Sequence, residues 1–255
     1  MLSWTLVKYV MTAALRDRLM FALVLMVIVG GALSVFLGSS AIIEPDRFAL
    51  VFAATGLRFA GAVGIILFIV FHIRRAFDSR DVEFLLSRPL SRTAFICSHS
   101  LAFSLLALIV SGVVTFSIFA VSPHSNSFGM LLWAVSLAAE FIIMANAALF
   151  FAMVLPSATA GALASIGLYV LGRLMGELLG IVYTGSYSHG YRFLALSMKI
   201  VSLIVPRLDL MGQSSWLVYG TAASTVGVGF VLAQGVVYSL LLASAALIDL
   251  VRRQF

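Results

Sequence analysis

The chain reads as an all-α membrane protein of six transmembrane helices, and three observations carry that reading. Hydrophobic residues make up 62% of its 255 residues and charged residues only 10%, against about 25% charged in soluble domains. Mean hydropathy is +1.14, and apolar runs long enough to cross a bilayer as helix recur along the whole length. Those runs are continuous rather than alternating, which argues against a transmembrane barrel.

Residues 2–18 are expected to form an interfacial elbow helix. Thr5, Lys8, Thr12 and Arg16 make a polar stripe, with Leu2, Leu6, Val10 and Ala13 or Ala14 opposite, the pattern of a helix lying in the headgroup plane. Trp4 and Tyr9 suit the same depth. Spaced basic residues, with no compact apolar core before a small-residue cleavage site, speak against a signal peptide here. The first span is 19–37 and the second 48–73, which exceeds the ~20 residues needed to cross and so is tilted or protrudes. The third is 94–121. A polar turn with Pro123, Asn126 and Ser127 leads to the fourth, 128–155, and only a few residues separate that from the fifth, 160–183. The sixth is 224–248.

Between the last two spans, 184–223 is expected to be an extracytoplasmic segment of short helices on or dipping into the outer leaflet. Leu194, Met198 and Val201 recur at helical spacing and Pro206 ends the run, while Arg192, Lys199, Arg207 and Asp209 count against a seventh span.

Charge is concentrated between spans two and three. The run Arg74 to Arg92 holds five of the sixteen Lys and Arg residues and three of the ten acids. Asp78 suits an N-cap, Asp81 the first turn, and Pro89 stops a helix about two turns on. Val82, Leu85 and Leu86 fall at i, i+3, i+4 and give that short helix one apolar edge. It is suited either to docking a partner protein or to resting as a solvated loop on the membrane surface. Ten Lys and Arg residues fall on the side of this loop and the termini, four on the other, which places the 74–93 loop and both termini in the cytoplasm. The net charge of +6 follows from that placement, so no nucleic-acid partner is expected.

No catalytic set is present. A phosphate-binding G-x-x-x-x-G-K-[ST] run is missing, the four histidines share no metal-ligand spacing, and the lone Cys97 excludes an internal disulfide. The chain is expected to be no enzyme by itself and to bind no cofactor or metal directly. Four ionisable residues fall within spans, Arg58, Glu140, Arg173 and Glu177, where charge is expensive and tends to face a protein interior or a water-filled path. Arg173 and Glu177 stand at i, i+4 and either neutralise each other or belong to a substrate path. Arg58 is expected to pair with Glu140 across helices, with reciprocal charge reversal rescuing either single reversal. Gly172, Gly176 and Gly180 form a small-residue stripe, the candidate helix-packing or dimer face.

In the loop, Asp81, Glu83, Leu85, Leu86, Ser87, Arg88, Pro89, Ser91, Arg92 and Thr93 resemble the motif at the foot of the third span in permeases of type-2, exporter-type ATP-binding-cassette transporters. The layout of elbow helix, six spans, cytoplasmic coupling helix and outer-leaflet helices is similar over essentially the full chain. It looks closest to the compact nitrous-oxide-reductase maturation permease group, although Val82 and Glu83 stand where many members carry a glycine. The resemblance implies an ATPase subunit that binds Mg-ATP and contacts Asp81, Val82, Glu83, Leu85, Leu86 and Arg88. It also implies a second permease copy, or a similar chain, and a bacterial inner membrane. A different reading is a non-transporting membrane anchor or assembly protein that recruits a cytoplasmic partner through the same loop.

Overall fold

The structure, a computed structural model, describes residues 3–40, 44–79, 91–121, 127–184, 189–221 and 226–252. Their regular secondary structure is all helical, with no strand among the described residues. In chain order the helices are α1 (Trp4–Arg16), α2 (Arg18–Ser39), α3 (Pro45–Asp78), α4 (Arg92–Val121), α5 (Ser127–Val154), α6 (Ala158–Thr184), α7 (His189–Ile204), α8 (Leu208–Met211), α9 (Ser215–Tyr219) and α10 (Val228–Arg252). Six of them, α2 to α6 and α10, are long and apolar enough to cross a membrane. The chain is a multi-pass membrane protein. The loop motif with Asp81, Val82, Glu83, Leu85, Leu86 and Arg88 lies outside the described residues.

Connectivity gives the bundle two ends. One carries the α1–α2 junction, both flanks of the 79–91 loop, the α5–α6 turn and the end of α10; the other carries α7 to α9. Helix α5 is the axis. It packs on α3, α4, α6 and α10 and is touched by α8 and α9. Its Trp133, Leu137, Phe141, Met144, Ala148 and Ala152 are buried, while α2 and α10 leave most of their surface outward. An outward apolar surface is what lipid tolerates, since tails are as apolar as leucine.

Helix α3 is 34 residues long, about 51 Å at 1.5 Å per residue, so it exceeds a ~30 Å hydrocarbon core. It runs on through Arg74, Arg75 and Phe77 because nothing there breaks a helix. Ser79 ends it by donating its hydroxyl to the Arg75 carbonyl at 2.8 Å. Asp78 is therefore the last residue of α3, 3.6 Å from Arg74 one turn back, rather than the N-cap of a new helix. On the other flank Ser91 caps α4, its hydroxyl accepting from the Ala94 N–H at 3.2 Å. The loop is shorter at both ends than hydropathy alone indicates.

Helix α1 departs from expectation in what covers it. Thr5, Lys8, Thr12 and Arg16 are exposed and Leu6, Val7, Val10 and Ala14 buried, so the stripe is real. Its apolar side, however, packs against α4 and α2, and the Ser3 N–H donates to Ser98 Oγ at 2.9 Å. Protein, not lipid, takes up that face. Asp17 separates α1 from α2 with an extended backbone and accepts from the Leu19 N–H at 2.8 Å.

The segment after α7 is also buried more deeply than a surface helix would be. Leu208, Met211, Trp216 and Leu217 belong to the main core. At α5 the approach is close: a Cβ built on Gly129 would stand 1.9 Å from the Trp216 carbonyl oxygen. Because a backbone atom cannot rotate away, Gly129→Ala is expected to push α9 off α5 and destabilise the protein by about 1–3 kcal/mol, read as a lowered unfolding temperature in detergent.

Candidate functional site

The charges expected inside the spans gather around one carboxylate. Arg58 lies thirteen residues into α3 and is 1% exposed; Glu140 of α5 is 0% exposed. Their contact is 2.9 Å, from Arg58 Nη1 to Glu140 Oε2. The same Nη1 donates to the Met211 carbonyl at 2.8 Å, and Nη2 donates to Ser136 Oγ at 3.0 Å and to the Trp133 carbonyl at 3.3 Å. The guanidinium also lies 4.8 Å from the Trp133 ring centre, within cation–π range. Four hydrogen bonds and an aromatic face replace the water that this cation gives up, which is the condition for keeping a buried ion pair.

Arg173 of α6 is the third member. Its Nη1 is 4.0 Å from Glu140 Oε2 and 3.5 Å from the Leu208 carbonyl. Its guanidinium passes directly over Gly212, where a Cβ would fall 1.3 Å from Nη1. Glu177, one turn along α6, is exposed and makes no ion pair among the described residues. The i, i+4 pairing of Arg173 with Glu177 is thus not what the structure holds: α6 is rotated so that Arg173 points inward and Glu177 outward. Three buried polar atoms in the cluster, Arg58 Nε, Trp133 Nε1 and Glu140 Oε1, have no hydrogen-bond partner among the described residues. Buried polar groups are as a rule satisfied, so this node has the donors and the acceptor to hold a small polar guest or water.

Two glycines of the stripe face this chain's own residues 206–209. A Cβ on Gly172 would lie 2.8 Å from the Pro206 carbonyl, and one on Gly176 would lie 2.7 Å from Asp209 Oδ2. Asp209 is itself held by Arg207 at 2.7 and 2.8 Å. Gly180 has no such neighbour; a Cβ there would meet nothing within 4 Å. Gly172 and Gly176 are therefore the seat of the α7–α8 connection and α8, not a face left open for a second copy.

Sequence reasoning missed the role of residues 206–212, which supply carbonyls to two of the arginines. Pro206 and Gly212 bracketing a four-residue helix were the available signal. It also missed that His72 and His99 converge on Phe103, their rings 6.0 and 5.8 Å from it. His99 Nδ1 is 2.9 Å from the Phe95 carbonyl. No protein-family model matches the sequence, and no curated protein matches it significantly.

Removing either side chain of the buried pair leaves the other charge without compensation. Arg58→Ala and Glu140→Ala are each expected to cost about 3–5 kcal/mol, read as loss of the folded protein in thermal unfolding. The reciprocal reversal Arg58→Glu with Glu140→Arg is expected not to rescue. It would set a carboxylate against the Met211 and Trp133 carbonyls and a cation beside Arg173. Gly212→Ala is expected to expel the Arg173 guanidinium and lower stability by about 1–3 kcal/mol. That loss should shrink in an Arg173→Ala background, where a double-mutant cycle measures the coupling.

Proposed function

We propose that this protein is the membrane-spanning permease subunit of an ATP-driven transporter of the exporter type. In this reading it works as a pair with a second permease copy and takes its energy from a separate cytoplasmic ATPase subunit that binds Mg-ATP. The observation that carries the reading is how the motif-bearing loop is mounted. On one flank, Arg74 of α3 donates to the Leu155 carbonyl at 3.2 Å and to the Pro156 carbonyl, at the α5–α6 turn. On the other, Arg92 of α4 donates to the Leu250 and Val251 carbonyls at 3.1 and 3.0 Å, at the end of α10. Arginines placed on helix-end carbonyls satisfy orphan acceptors and complement the helix dipole.

A push on the loop would therefore move α3 and α4 and be felt at α5, α6 and α10 as well. Rigid attachment of this kind suits a lever. A loop that only recruits a partner has no need to be tied to five spans. The Lys and Arg distribution supports a cytoplasmic loop and cytoplasmic termini, and the resemblance supports a bacterial inner membrane. Closure of the ATPase subunits would press on Asp81 to Arg88, with Val82, Leu85 and Leu86 as the apolar contact and Asp81, Glu83 and Arg88 setting register. The transporter reading also accounts for a charged node deep within an apolar bundle, since such residues mark paths more often than packing.

The test is affinity purification in mild detergent, wild type beside Leu85→Asp/Leu86→Asp, with identification of what co-purifies. The expected result is an ATPase subunit retained by the wild type and lost, by at least tenfold, from the variant. A well-folded wild type that brings down no nucleotide-binding partner would remove the transporter reading, and the anchor reading would replace it.

A further inference from the structure

The corner between α1 and α2 gathers more positive charge than its one acid can answer. Arg16 ends α1, Arg18 begins α2, and Arg75 of α3 reaches the same place, its Nη1 3.8 Å from Asp17 Oδ2. Asp17 is already engaged, because its Oδ1 accepts from the Leu19 N–H at 2.8 Å. Arg75 stays 72% exposed despite its contact. Arg16 and Arg18 are exposed and make no ion pair among the described residues. Three guanidiniums thus stand against one carboxylate, a surplus of two positive charges.

Below the corner the surface turns apolar in register. Arg18, Phe21, Leu25 and Ile28 are all exposed and recur at intervals of 3, 4 and 3, which puts them on one face of α2. From Arg18 to Ile28 this track runs ten residues, about 15 Å, or half of a ~30 Å hydrocarbon core. That is the depth of one leaflet. On α1, Trp4 and Tyr9 are exposed as well and suit headgroup depth. Because α4 and α2 cover the apolar side of α1, that side cannot hold the helix on the bilayer. Lipid contact falls to the outward residues.

We infer that the α1–α2 corner is a binding site for one anionic phospholipid of the leaflet at that end. Its phosphate lies among Arg16, Arg18 and Arg75, and an acyl chain follows Phe21, Leu25 and Ile28. An anionic headgroup offsets the surplus that Asp17 leaves, whereas a zwitterionic one brings a cation of its own. Scattered basic residues drawn to a charged surface would need neither the shared acid nor the apolar track beneath it. A lipid held here joins α1, α2 and α3, beside the flank of the loop that Arg74 anchors. The inference needs only a membrane-spanning chain and stands apart from the transporter reading.

The test is native mass spectrometry of the full chain, purified in an uncharged detergent and titrated with phosphatidylglycerol or phosphatidylcholine of the same acyl chains. The wild type is expected to bind phosphatidylglycerol roughly thirtyfold more tightly, two surplus charges at about fivefold each. Arg16→Gln/Arg18→Gln, at exposed side chains, should keep its unfolding temperature and bind the two lipids alike. The matched charge loss Arg252→Gln/Arg253→Gln, elsewhere in the chain, should leave the preference in place. Asp17→Asn can still accept from Leu19 and should tighten phosphatidylglycerol by roughly fivefold. Equal affinity of the wild type for both lipids would overturn the site. So would equal weakening by the two double variants, which would mean diffuse charge, or weaker binding by a folded Asp17→Asn protein. Displacement of the lipid by inorganic phosphate, beyond what chloride does at equal ionic strength, would assign the corner to free phosphate and overturn the lipid.

Discussion

The contact between Arg58 and Glu140 is the constraint that most of the bundle answers to. Taking two charges out of water into an apolar interior costs several kcal/mol per ion before any contact is made. At 2.9 Å the pair offsets much of that, but a guanidinium has five donors and one carboxylate cannot use them all. The remaining donors dictate what must surround them. Trp133 and Ser136 come from the same helix as Glu140, two turns and one turn away, so α5 supplies half the shell locally. Met211 has to come from far along the chain, and this is one reason α8 sits inside the bundle end rather than on its surface.

A single device recurs at both ends of the molecule, an arginine placed on main-chain carbonyls. At the α8 end, Arg58 and Arg173 reach Met211 and Leu208. This lets the four-residue helix α8, too short to satisfy its own carbonyls, lie among the spans, where unsatisfied carbonyls would be costly. At the loop end, Arg74 and Arg92 reach the last carbonyls of neighbouring helices. The same chemistry thus does two jobs: it satisfies the carbonyls of a very short helix in one place and ties separate helices into one body in the other. Tyr238 of α10 adds to the first, donating to the Leu203 carbonyl at 3.0 Å.

Helix α6 shows how one span is used on two sides. Its inner side, with Gly172 and Gly176, is cut back so that the Pro206 carbonyl and the Asp209 side chain can approach within contact distance. Its outer side carries mostly larger residues and Glu177, which is exposed. Arg173 lies between the two, inward to Glu140 and partly open outward, so whatever covers the outer side is felt by the buried node.

The number, order and approximate limits of the six long apolar helices were legible in the sequence because a chain in lipid must satisfy its backbone internally; an apolar run of 20 or more residues then has few alternatives to a helix. The pairing of Arg58 with Glu140 was legible for a similar reason: two isolated opposite charges in apolar spans have few ways to be compensated. What tertiary structure alone decided were questions of rotation and cover. Whether Arg173 turns to Glu177 or to Glu140 depends on how α6 is rotated about its axis and on the open space over Gly212, neither of which is a local property. The apolar face of α1 has the same composition whether lipid or α4 covers it. The glycines of α6 announce a close approach without saying of what. Composition and spacing state what a face can tolerate, and only the packing of distant segments selects what meets it.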